Sequence, residues 1–292
     1  MQICAGNFWT AIRFAEIQVN SESNWDRIQG WARYVKLYPQ IVLLGDSLIQ
    51  HATDIMEGFS FQAALQAHVA RRLDVINRGF SGYNTENVIT FLDDLFQPPS
   101  ETVPKIDYLL ILLGANDAVR PFPELTQHVP QEKYKTNLRT IISHPAIRAH
   151  GPEILLVTPP PVDEIRCKQS DLAKGWPDVS RFAGLSAAYS RIARDVAAET
   201  PGVVSVDLYT ALVDYAVART PGHDAEGPRL GTFELGESGK LGELLPDGVH
   251  LSGEAYKVFF EAVVPHVHPE WASEEPDRSG YLFPDWRELY SM

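Results

Sequence analysis

Cysteine is almost absent: the 292 residues hold only Cys4 and Cys167. Two thiols, with no CxxC pair and no Cys/His cluster at ligand spacing, exclude a zinc ribbon, a zinc finger and a disulfide-stapled scaffold. One disulfide between them stays open, but two unpaired buried thiols are the expectation, as in a reducing compartment. Positive charge is also scarce. Lysine and arginine number 25 against 38 aspartate and glutamate, a formal charge of −13. A surface of that sign repels phosphate backbones and anionic bilayers, which argues against nucleic acid or membrane as partners and for a small neutral ligand. No run approaches the roughly 20 apolar residues that a bilayer-spanning helix needs. Met1 to Trp9 carry no basic lead-in, and Arg13 and Glu16 break the apolar run. Neither a signal nor a transit peptide is read there, so a cytoplasmic location is expected. Internal repeats and low-complexity tracts are missing as well.

What remains is an ordinary globular chain. Hydrophobic residues make up 45%, too many for disorder, and the length buries a full core without metal or disulfide. From Ile41 onward, short runs of Val, Ile and Leu alternate with helical segments. The runs are Ile41–Leu44, Val75–Ile76, Tyr108–Leu113, Ile154–Val157 and Val203–Val206. They show little apolar–polar alternation, as strands covered on both faces do. Between them Tyr134, Leu138, Ile141 and Ile142 step at helical spacing, as do Phe182, Leu185, Tyr189, Ile192 and Val196. Tyr256, Phe259, Phe260 and Val263 mark a last helix, with Ser252 as its N-cap and Glu254 in its first turn. The expected fold is a three-layer α/β/α sandwich around a five-stranded parallel sheet.

Three stretches fall outside that rhythm. Residues 1–38 read as an N-terminal extension, with a short helix expected over Trp25, Ile28, Ala32 and Val35. Residues 214–246 are polar and glycine-containing with no period, a wall, a lid or surface filler. Residues 267–292 form a polar tail whose Trp271, Tyr281, Phe283 and Trp286 predict docking, on the chain's own domain, residues 39–266.

The first strand ends in Gly45-Asp46-Ser47-Leu48. Function gathers at the carboxyl ends of parallel strands, and a serine there sits at a helix N-terminus, where backbone N–H groups meet a developing oxyanion. Ile49 stands where Gly-x-Ser-x-Gly needs its second glycine, so the α/β-hydrolase elbow is disfavoured. Alone, Gly-Asp-Ser is weak evidence, because both side chains are ordinary capping residues. A serine nucleophile needs a base, and nine histidines are available. Asp247-Gly248-Val249-His250 singles one out: a carboxylate three residues before a histidine can fold back, accept its ring N–H and free the other nitrogen for the serine proton. Gly82, in the turn after the second strand, and Asn116, after the third, are neutral donors of the kind an oxyanion hole uses.

In the order Ser47, Gly82, Asn116, His250, these blocks (GDSL, NRGFSGY, LGAND and DGVH) resemble the SGNH, or GDSL-type, hydrolases. NRGFSGYNT, LLGANDA, TPPPVDE and LLPDGVHLSGEAYK are most similar to the isoamyl acetate-hydrolysing esterases of that family. The resemblance implies a flavodoxin-like sandwich and a serine esterase. Ser47 would be the nucleophile, His250 the base oriented by Asp247, and the Ser47 N–H, Gly82 N–H and Asn116 Nδ2 the oxyanion hole. It implies small esters, acetyl above all, and a role in lipid metabolism, with no metal or organic cofactor; a homodimer is a further expectation. An acyltransferase or a natural-product or sugar O-deacetylase using the same serine is the near alternative. A non-catalytic binding protein on the same fold is the distant one. The long segment before Ser47 and the 214–246 stretch depart from the family pattern. Asp46 and Asp117 are read as structural braces. His51, one helical turn after Ser47, is read as a poor rival base, and His266 and His268 lack a third metal ligand. Pro159 to Pro161 are placed at the site's rim.

Overall fold

β1 (Gln40–Gly45), β2 (Asp74–Gly79), β3 (Ile106–Leu112), β4 (Glu153–Val157) and β5 (Val203–Val206) form one sheet in the order β2–β1–β3–β4–β5, with every neighbouring pair parallel. This is a computed structural model, which describes residues 37–121, 127–272 and 280–289. The helix expected over Trp25 to Val35, and Cys4, lie outside them.

The unbroken apolar runs have a direct cause: both faces of the sheet are covered. Ile41 and Leu43 point into a core shared with Phe61, Leu65, Leu212, Tyr256 and Phe259. Val42 and Leu44, the alternate positions of the same strand, enter a second core with Val88, Leu92, Tyr134, Leu138 and Tyr189. The helices Phe61–His68, Leu208–Ala218 and Gly253–Val263 therefore lie on one face. The helices Thr85–Thr90, Gln131–Ser143 and Ala183–Glu199 lie on the other. The three-layer sandwich is as expected.

Two details depart from the sequence pattern. On Ala183–Glu199 the buried line runs through Ala183, Ser186, Tyr189, Ala193 and Val196, while Leu185 and Ile192 are only half-buried. Three of those five residues are small, and a pattern drawn from large apolar residues does not register them. The second is Leu208–Ala218, which runs into the stretch read as a loop from residue 214. Its sequence, LYTALVDYAVA, is apolar nearly all round, and a helix without polar contrast leaves no periodic signal.

Chain order reverses at β1, whose neighbours are β2 on one side and β3 on the other. A crevice opens outside the carboxyl ends of strands at such a point. The close approach there depends on Gly79, where a Cβ atom would lie 2.0 Å from the Gln50 backbone nitrogen.

The tail divides its aromatics. The Leu282 N–H donates to the Arg71 carbonyl, and the Arg71 guanidinium donates to the carbonyls of Phe283 and Pro284. Arg72 stacks its guanidinium over both Trp271 and Tyr281. Phe283 and Trp286 stay 47% and 60% exposed. Among the described residues no helix is long and apolar enough to cross a membrane.

Candidate active site

Ser47 opens the one-turn helix Ser47–Gln50 directly after β1 and is 7% exposed. Asp46 is the N-cap: its Oδ1 accepts the Leu48 N–H at 2.9 Å. The helix is pinned from two sides. The Tyr256 hydroxyl, from the last long helix, donates to the Leu48 carbonyl at 2.8 Å, and Asn77 Nδ2 donates to the Ile49 carbonyl at 2.7 Å. The position of Ser47 is thus fixed by β1, β2 and the C-terminal helix together.

His250 arrives on a turn built by one carboxylate. Asp247 Oδ1 accepts the backbone N–H groups of Val249 and His250, at 3.0 and 2.8 Å, and its Oδ2 lies 2.7 Å from His250 Nδ1. The imidazole's other nitrogen, Nε2, lies 3.0 Å from Ser47 Oγ. Burial works against the Asp247 charge, but the hydrogen bonds from His250 outweigh it and hold the carboxyl well below the usual range. An anion fixed at Nδ1 keeps the proton there and leaves Nε2 as the acceptor. Gly248 makes this turn possible. Its φ is +89°, and a Cβ would meet the Cys167 nitrogen at 2.4 Å. Cys167 is buried and unpaired, with burial pushing its thiol up to about 12.

The expected oxyanion donors face the same cavity, which has a volume of ≈190 Å³ and is lined by Ser47, Gly82, Asn116 and His250. The backbone N–H groups of Ser47 and Gly82 have no acceptor among the described residues. Asn116 Nδ2 gives one hydrogen to the Tyr83 carbonyl at 2.9 Å, leaving its second free. Gly82 holds φ +82°, a conformation natural to glycine. Gln127 Nε2 donates to its carbonyl at 2.6 Å.

Arg181, which carries no signal in the sequence, clamps the asparagine. Its Nη2 donates to Asn116 Oδ1 at 2.9 Å and its Nε to the Ala115 carbonyl at 3.2 Å. With Oδ1 held by a cation and Nδ2 by a carbonyl, the amide can take only one orientation. No spacing signal could have revealed this, since Arg181 lies 65 residues from Asn116.

The other candidates fall elsewhere. His51 pairs with Asp54 at 2.8 Å and meets the His250 ring edge to face, its centroid 5.8 Å away. His268 pairs with Glu270 and stacks on Trp271. Among the described residues no group of three His, Cys, Asp or Glu side chains is placed to hold a metal ion. Asp117 accepts the N–H and hydroxyl of Thr85, tying β3 to the helix after Gly82. Pro159 packs against Gly114, while Pro161 lines a different cavity.

Asp46 and Asp117 are buried, and burial pushes them up to about 7 and about 6. Asp46 Oδ2 has no hydrogen-bond partner among the described residues. Between its ordinary 3.8 and about 7, Asp46 holds in the folded chain a proton that the unfolded chain has released. Stability contributed by that proton is present at low pH and lost as pH rises through this window. Asp46→Asn keeps the capping oxygen and cannot ionise. Thermal melts at pH 5 and pH 8 should show a smaller loss of Tm for the variant than for the parent; equal losses would show that Asp46 does not titrate there.

The model of the GDSL-like lipase/acylhydrolase family matches residues 43–258. The chain belongs to that family. This GDSL hydrolase is 28% identical over 259 residues to an isoamyl acetate-hydrolyzing esterase 1 homolog of Bos taurus, covering 87% of this chain and 89% of that one. It is 31% identical over 247 residues to a GDSL esterase/lipase of Arabidopsis thaliana, covering 81% and 88%. The isoamyl acetate-hydrolyzing esterase of Saccharomyces cerevisiae is 25% identical over 262 residues, covering 86% and 95%. Among solved structures, an acetyl xylan esterase superposes with a TM-score of 0.55 at 17% identity, covering 78% of this chain and 99% of that one. That last likeness establishes the shared fold. The protein is a GDSL-type serine esterase, an ester hydrolase.

Proposed function

We propose that this esterase cleaves small esters, acetyl esters above all, through an acyl-enzyme on Ser47. The observation that carries the reading is the continuous line Asp247 Oδ2, His250 Nδ1, His250 Nε2, Ser47 Oγ, with contacts of 2.7 and 3.0 Å. Both lie within the reach expected of a working triad. Ser47 Oγ attacks the ester carbonyl as His250 Nε2 takes its proton. The carbonyl oxygen becomes an oxyanion facing the Ser47 N–H, the Gly82 N–H and Asn116 Nδ2. Collapse expels the alcohol, which leaves with the proton from His250. Water then attacks the acyl-enzyme by the same route, releasing the acid and restoring Ser47. The hydrolase domain spans residues 39–266, flanked by residues 1–38 and the tail.

A small acyl group suits a cavity of ≈190 Å³, and several relatives carry isoamyl acetate hydrolysis in their names. Much of the remaining lining is polar. Gln127, Ser170, Lys174 and Trp176 line the same cavity, which favours, as a second reading, deacetylation of a hydroxyl-rich compound. Turnover of p-nitrophenyl esters from acetate to palmitate, set beside an acetylated sugar, tests both. Acetate or butyrate should be cleaved fastest. Preference for palmitate would sink the small-acyl assignment, and exclusive cleavage of the acetylated sugar would move the second reading to first place.

A further inference from the structure

A second cavity, of ≈150 Å³, lies against the Leu208–Ala218 helix beneath the 219–240 loop, and none of the residues assigned to catalysis line it. Val213, Ala216 and Val217 of that helix, with Leu241, form an apolar floor. Tyr209, His223 and Arg229 border the same space. Val162 and Ala183, which also line it, pack with Cys167 and Val249 in a small apolar cluster, and Val249 lines the Ser47 cavity. The same small apolar cluster therefore contributes to the lining of both cavities.

Two donors of the polar border, the Tyr209 hydroxyl and the Arg229 guanidinium, have no acceptor among the described residues. Tyr209 is only 9% exposed, yet its hydroxyl makes no hydrogen bond with any described residue. The oxygen itself keeps some solvent contact, so a molecule entering the cavity can reach it. Burial raises its pKa, so at neutral pH the phenol keeps its hydrogen and can donate it. Arg229 lies close enough for its charge to act on that phenol, and it forms no ion pair with any described residue. The His223 ring is half-buried and equally without a partner among them. Glu164, Glu226 and Glu234 border the hollow on the outer side of Arg229. Both oxygens of Glu164 are already taken by the backbone N–H groups of Ala183 and Phe233.

We propose that this cavity binds an aliphatic carboxylate, its chain on the Val213–Val217 floor and its head group on the Tyr209 hydroxyl, His223 and Arg229. A hole of this volume holds on the order of six carbons, since an apolar cavity of about 150 Å³ takes up benzene. The phenol and the guanidinium both have hydrogens to give, so an acceptor head group suits the border, and the guanidinium selects an anion. Glu226 and Glu234 keep the affinity moderate. The inference stands apart from the esterase reading, because none of the Ser47 machinery takes part.

The test is calorimetric titration of the full chain carrying Ser47→Ala with sodium hexanoate, and with 1-hexanol as the neutral analogue of equal length. Tyr209→Phe and Arg229→Met on the same background should each weaken hexanoate roughly tenfold or more, as loss of a charge-assisted hydrogen bond does. Hexanol should bind at least tenfold more weakly than hexanoate. Tyr209→Phe keeps the ring, so an unchanged melt will show that the fold is intact. Absence of binding at millimolar hexanoate would overturn the proposal. So would equal affinity for hexanol, which would mean an apolar hole without head-group recognition. Indifference to both variants would place the acid elsewhere, at Ser47 above all. Hydrolysis of p-nitrophenyl acetate by Tyr209→Phe with Ser47 intact reads the esterase separately.

Discussion

Ser47→Ala should lower kcat for p-nitrophenyl acetate by a factor on the order of 10⁶, and adding His250→Ala should lower it no further. Each residue is useless to the reaction without the other: the hydroxyl is a poor nucleophile until Nε2 takes its proton, and the imidazole alone has no proton to take. Their effects are therefore shared rather than additive. Asp247→Asn should cost less, on the order of 10⁴. It removes the anion that keeps the proton on Nδ1 while leaving both partners in place. The double variant is the informative measurement. If it fell well below Ser47→Ala alone, His250 would have a separate task, and the shared-proton account would fail. Rates above the uncatalysed reaction should survive in all three, because the oxyanion donors remain.

Asn116→Ala should cut kcat by a factor on the order of 10² to 10³ with little change in KM, as loss of one oxyanion donor does elsewhere. Arg181→Met should produce a smaller fall of the same kind, roughly tenfold. Its guanidinium holds Asn116 Oδ1 at 2.9 Å, so its loss frees the amide to turn without removing it. The two should couple: once Asn116 is alanine, Arg181→Met has nothing left to misplace, and the double variant should match Asn116→Ala. Steady-state kinetics on a neutral ester separates this from direct substrate binding. A raised KM with unchanged kcat in Arg181→Met would make Arg181 a substrate contact instead of a positioning residue.

The parts of this site legible in the sequence were those held by local geometry. Ser47 follows a strand that covers itself in apolar residues, and Asp247 folds onto His250 within a single turn, so spacing alone brought each block into view. Gly82 and Asn116 were legible because strand ends in a parallel sheet converge. Arg181 was not, since the segment carrying it comes after β4 and reaches across to the end of β3. Nor was the Leu208–Ala218 helix, whose uniform hydrophobicity erases the contrast that periodicity needs. Asp46 is a structural brace, as its place in the turn suggests. Its burial was invisible in a sequence where Gly-Asp-Ser looks like an exposed turn.

The hydrogen bond between His250 and Ser47 closes across 203 residues. A ribosome adding 5–20 residues per second needs roughly 10–40 seconds to cover that interval. Throughout it Ser47 has emerged without the histidine proposed as its base. The helix that pins the Ser47 turn through Tyr256 is synthesised later still. On the proposed triad, hydrolytic activity should be withheld from the nascent chain and from partly folded forms that lack the last helix. Recovery of activity in a refolding experiment should therefore lag behind the formation of helical and sheet signal, and the length of that lag measures the docking of one helix.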